Sequence, residues 1–127
     1  MHLKRLFSQI RKERGVEVIE FVGVMPLILM MAYIIWQFML MAHVGMMTAS
    51  AAREGARAAS TYESATAAVA RTTGSFEYQV SAGACTGEGS IVRVRVRMKI
   101  PMVDIPFVPL PQLWTDHTAT ARCEARF

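Results

Sequence analysis

From Phe21 to Met47 the chain carries no charged side chain, an uninterrupted run of 27 residues. As an α-helix that run is about 40 Å long, and roughly 20 residues suffice to cross the hydrocarbon core of a bilayer. Pro26, Gln37 and His43 are its awkward members there. In a chain of 127 residues, a spanning helix leaves space for one small domain and little else. The mean hydropathy, above zero for the whole chain, agrees with a membrane segment.

Charge sets the direction of the span. The formal net charge of +4 invites a nucleic-acid reading, and its distribution removes it. Residues 1–14 hold Lys4, Arg5, Arg11, Lys12 and Arg14 against Glu13 alone, and the rest of the chain is neutral. The excess is an N-terminal tag, so no nucleic-acid partner is expected. Basic residues before the span, and none after it until Arg53, put the N-terminus in the cytoplasm and Ala49 onward outside. A secretory signal peptide is the rival reading, with Thr48-Ala49-Ser50-Ala51 as its cleavage site. Its apolar region is usually ~7–15 residues, about half the run seen here.

The boundary between tag and span reads Arg14-Gly15-Val16-Glu17-Val18-Ile19-Glu20-Phe21. An acid in a membrane helix costs about 2.5–3.5 kcal/mol at the centre and less toward the interface, so Glu20 calls for a partner. Cleavage after Gly15 would supply one, because Val16 would then carry a new α-amino group, mostly charged near neutral pH. An amine on the first residue and a carboxylate on the fifth can pair between neighbouring, axially shifted helices in a low-dielectric bundle. Glu17 is a second acid at this boundary, and it either competes for the amine or stays in interfacial water.

A short basic leader ending in Gly, then a hydrophobic helix with Glu at its fifth position, resembles the type IV prepilin class. Phe21 after Glu20 resembles the tight-adherence (Tad/Flp) subtype. The block Ala51-Ala52-Arg53-Glu54-Gly55-Ala56-Arg57-Ala58-Ala59 is similar to one in TadE-like minor pilins. With Pro26-Leu27-Ile28-Leu29, the resemblance covers residues 14–60. It implies a pseudopilin trimmed by a prepilin peptidase between Gly15 and Val16, with Glu20 and Phe21 as its assembly contact. The implied partners are that peptidase, other pilin or pseudopilin subunits, and a pilus assembly platform in the bacterial inner membrane. The alternative is an uncleaved single-pass scaffold in a secretion machine, distinguished by its mature N-terminus.

Thr48 to Ser60 is almost entirely small residues, which favour helix and let backbones approach closely. A helix from Val16 would run to about Ser60, with Pro26, soon after Gly23, as a point of kinking or local melting. Arg53 and Arg57 share a face, and Glu54 reaches Arg57 at i, i+3. Two compatible uses follow. The helix packs on other pilin helices, with Arg53, Glu54, Gly55 and Arg57 setting register, or it lies on the protein's own sheet.

Residues 61–73 continue or restart the helix, ending near Gly74. Three alternating stretches follow, over residues 76–82, 92–100 and 118–127, as expected for an antiparallel sheet against a helix. The expected architecture is α+β: a leader (1–15), a long transmembrane helix (16–60), and a small exported sheet domain (61–127) packed on the helix continuation. Cys85 and Cys123 both fall in the exported part, where a disulfide persists and a small core needs one. Two separate buried thiols remain the other possibility. Pro101, Pro106, Pro109 and Pro111 preclude regular structure from Pro101 to Trp114, leaving an apolar connection either tucked on the sheet or exposed to a partner.

No catalytic, metal or cofactor constellation is legible. His2, His43 and His117 are far apart, there is no C-x-x-C, and adjacent Asp116 and His117 would point to opposite faces of a strand. The basic row Arg93, Arg95, Arg97 and Lys99 is either a solvated outer face or a surface for anionic lipid, DNA or an acidic partner. The expected protein is therefore a structural subunit, and no enzyme.

Overall fold

A computed structural model of the chain describes residues 2–103 and 109–125, with side chains from Gly15 onward except Val16. The elements run α1 (His2–Ser60), α2 (Ala65–Thr73), β1 (Tyr78–Ala82), β2 (Ile91–Lys99) and β3 (Trp114–Arg122). The chain divides into two compact units, Met1–Phe38 and Met39–Phe127.

The first unit is helix alone. The sequence suggests a start at Val16, yet α1 begins at His2. Residues 2–14 contain neither Pro nor Gly and are rich in Leu, Lys, Arg, Gln and Glu, all good helix formers. The helix assignment also runs through Pro26, as spanning helices tolerate. Phe21, Leu29, Ile35, Trp36 and Phe38 are all exposed. An apolar helix exposed all round is what a bilayer requires. Among the described residues, α1 is the one helix long and apolar enough to cross a membrane.

The second unit is built on β2. The sheet order is β1-β2-β3, antiparallel throughout, with Val80 opposite Val96 and Val94 opposite Ala119. Every second residue of β2 from Val92 to Met98 is buried, and the residues between them are exposed. Val44, Thr48, Ala51, Ala52, Ala56 and Ala59 on α1 are buried and, Thr48 apart, join β2 in one core with Ala65 and Val69 of α2. The buried hydroxyls are satisfied locally: Thr48 donates to the Val44 carbonyl and Thr73 to that of Val69. Burial on α1 begins at Val44, so the last turn of the uncharged run belongs to this core. Phe21 to His43 is left for a bilayer, roughly 35 Å of helix.

Gly55 marks the closest approach. A Cβ there would lie 2.8 Å from Val69 Cγ2 and 3.1 Å from Val94 Cγ1. Both valines are fully buried and stiff at χ1, so neither yields easily.

α1 ends in a Schellman-type turn in which Glu63 N–H donates to the Ala58 carbonyl and Tyr62 N–H to that of Ala59. Tyr62 takes the left-handed position, φ 61°, where glycine is usual. Ser64 caps α2 by accepting from Ala67 N–H, and Gly74 closes it at φ 59°. The helix therefore restarts at Ala65.

The edge strands differ from expectation. β3 starts at Trp114, four residues earlier than the alternation suggests, because it pairs along the whole of β2, from Lys99–Trp114 to Ile91–Arg122. Thr115 and His117 occupy the inward-facing positions there, so no apolar alternation announced the strand. His117 is exposed and Ala119 and Ala121 only half-buried, so β2 alone buries a whole face. In the connection after β2, Ile100 N–H donates to the Leu113 carbonyl and Met102 packs on the core, while Val103 is exposed. Pro106, Phe107 and their neighbours from residue 104 to 108 lie outside the described residues, as do Arg126 and Phe127 at the end of the third expected strand.

The close approach at Gly55 gives a direct test. Gly55→Ala should destabilise the head by about 1 kcal/mol although alanine is the better helix former. Ser50→Ala, on the exposed side, should be neutral or slightly stabilising. Denaturation of the full chain in detergent, followed by the circular dichroism of the sheet, compares them. Equal stability of Gly55→Ala and wild type would mean the helix moves off Val69 and Val94 without cost.

Candidate functional site

The N-terminal boundary lies on about two continuous turns of α1. Gly15, Glu17, Glu20 and Phe21 are exposed, and Val16 lies outside the described side chains. Glu17 and Glu20 share a face at i, i+3. The two ion pairs among the described residues, Arg95–Asp116 and Lys99–Glu77, leave both acids without a counter-charge. A Cβ on Gly15 would meet nothing within 4 Å, so nothing described in the chain demands a glycine. Gly23 and Gly45 are equally open. Gly15 differs in its place between a basic leader and an acid.

The alanine-rich block divides by face. Gly55 points into the head, whereas Arg53, Glu54 and Arg57 are exposed. Glu54 and Arg57 form no ion pair despite their spacing. With Thr61, Glu63 and Arg71 they line an open, mixed-charge groove at the end of α1.

Cys85 and Cys123 are joined by a disulfide, with their Cα atoms 6.0 Å apart. The bridge ties the β1–β2 connection to the end of β3. Cys123 N–H donates to the Ser90 carbonyl, and Glu124 N–H to that of Ser60 at the last residue of α1. Cys85 Sγ also lies 3.2 Å from the Ala59 carbonyl oxygen. A disulfide sulfur has no proton to donate, so this is a packing contact. Three chain segments therefore meet at the end of α1.

The outer face of the sheet carries Arg93, Arg95, Arg97, Lys99 and Arg122, all but Lys99 exposed and Lys99 half-buried. Arg95 donates to Asp116 Oδ2 from Nε (3.1 Å) and Nη2 (2.7 Å), and Lys99 Nζ lies 3.2 Å from Glu77 Oε2. Arg97 stacks over Trp114, 5.7 Å from the ring centroid. The sequence singled out this row but missed its counter-charges, because the register that brings Asp116 and Glu77 alongside is a tertiary property. Among the described residues no group of His, Cys, Asp and Glu is arranged to hold a metal.

Together these features define a small α+β head and an apolar helix able to cross a membrane, with exposed carboxylates where the apolar stretch of that helix begins. The family model of TadE-like proteins matches residues 15–57, about a third of the chain. Over that stretch the chain is similar to TadE-like proteins. The match spans Gly15, Glu20 and the block through Arg57, and stops before the sheet. No curated protein and no solved structure matches the chain.

The disulfide closes a loop with a sequence separation of 38. Replacing both cysteines by serine should cost roughly 3–4 kcal/mol in the chain-entropy model. In a head with so small a core, that should shift the urea midpoint of the full chain strongly and open residues 61–127 to protease. An unchanged midpoint would show that the core alone carries the head.

Proposed function

We propose that the protein is a minor pilin (pseudopilin) whose leader a prepilin peptidase removes after Gly15, and whose mature helix enters or primes a Tad-type pilus. The observation that carries this reading is Glu20, exposed and, among the described residues, without a counter-charge where the lipid-facing stretch of α1 begins. A bare carboxylate there is unfavourable until an amine meets it. The α-amino group of a trimmed Val16 on a neighbouring, axially shifted subunit is a suitable partner. Gly15 supports the same reading, since its lack of a side chain has no use within the described chain and suits a restricted peptidase subsite.

In this reading the basic tag keeps the N-terminus in the cytoplasm and the head is exported, into a compartment where the Cys85–Cys123 bridge persists. Phe21 packs beside the Glu20 contact. Arg53, Glu54 and Arg57, exposed on the head side of the helix, set register against neighbouring subunits. The protein is a substrate of the peptidase and performs no catalysis of its own. Its partners are other pilin subunits and the assembly platform in the inner membrane.

Glu20→Gln tests the contact, because it keeps the size and removes the charge. The precursor should insert and be trimmed normally, while incorporation into sheared filaments falls on the order of tenfold or more. Normal incorporation would leave Glu20 an interfacial acid with no part in assembly.

A further inference from the structure

Two polar side chains meet in the middle of the uncharged run. Gln37 Nε2 donates a 3.1 Å hydrogen bond to the Tyr33 hydroxyl one turn earlier. That bond uses part of what the pair offers. The carboxamide has two N–H donors and a carbonyl, and the tyrosine keeps its own proton. Among the described residues Gln37 Oε1 and the second Gln37 N–H have no partner, nor does the Tyr33 proton. The stretch left for a bilayer, Phe21 to His43, has its midpoint at Ala32. Tyr33 would therefore lie beside the midplane and Gln37 about 7 Å from it, both inside the hydrocarbon, where no water can complete their bonds. Bonds between helices are the usual resolution.

We infer that two copies of this chain pair in the membrane through their Gln37 carboxamides. Copies inserted in the same direction carry Gln37 at the same depth. A carboxamide is self-complementary, so a two-fold arrangement lets each N–H meet the other Oε1, closing both sets of bonds with one contact. Tyr33 holds the amide in orientation. Leu29 and Met30 flank the same face, exposed and uncharged, so no repulsion opposes the approach. The inference rests on α1 crossing a bilayer, and is independent of leader cleavage. It also differs in geometry from the Glu20 contact. Pairing Glu20 with a neighbouring Val16 shifts one helix by four residues, roughly 6 Å, which takes the two Gln37 side chains out of register. The carboxamide pair therefore belongs to subunits held in the membrane, before any filament forms.

Cysteine cross-linking of the full chain in native membranes tests this. At roughly 100° per residue, Leu29 and Met30 lie on the Gln37 side of α1, and Ile28 and Ile35 on the opposite side. All four are similarly exposed. Under mild oxidation Leu29→Cys and Met30→Cys should give a covalent dimer, and Ile28→Cys and Ile35→Cys should not. Adding Gln37→Leu should lower dimer yield roughly three- to tenfold, whereas Gln37→Asn, which keeps the amide, should retain it. The dimer should persist in a Gly15→Leu precursor, so a failure of processing leaves this result readable. Equal cross-linking on both faces, indifference to Gln37→Leu, or loss of the dimer in the Gly15→Leu background would each overturn the inference.

Discussion

How near a helix can lie to a sheet is set by the side chains between them, and at Gly55 there is no side chain. With Val69 and Val94 already within 3.1 Å of where a Cβ would sit, α1, α2 and β2 converge on one residue. The rest of the head follows from that contact. Alanines at 51, 52, 56 and 59 carry the close packing along the helix, and the four large buried side chains of β2 fill the space opposite. Because the helix covers β2 best, the two edge strands stay half-covered. The disulfide then ties the β1–β2 connection and the end of β3 together beside the last turn of α1.

Much of this was legible in the chain, for physical reasons. A charge-free run longer than a bilayer is thick has few other fates, and Val-Arg-Val-Arg-Val-Arg alternation has a period only a strand satisfies. The cysteine pairing was legible too, as the one bridge that two cysteines allow. What escaped was tertiary. The small residues from Thr48 to Ser60 are equally suited to a neighbour's helix and to the chain's own sheet, and only the fold shows Gly55 turned inward. The start of β3 was hidden because Thr115 and His117, at an uncovered edge, need no apolar character. The four residues from Val44 to Met47 read as membrane because their composition matches it, although Val44 and Met47 pack in the head.

One helix thus carries two chemistries. Past Val44 its small face is used within the subunit, and Arg53, Glu54 and Arg57 remain outside. Before it, every described side chain from Glu17 to Ala32 is exposed. In hydrocarbon the apolar ones need nothing further. Glu20 and Gln37 do, the first a counter-charge and the second hydrogen-bond partners. The family match over residues 15–57 includes both and stops before the sheet.

Intact mass with N-terminal sequencing of protein taken from native membranes without reductant tests the central claim most directly. A trimmed, exported subunit begins at Val16 and is two hydrogens lighter than its reduced form. A chain that begins at Met1 or His2, or one with both thiols free, would contradict it.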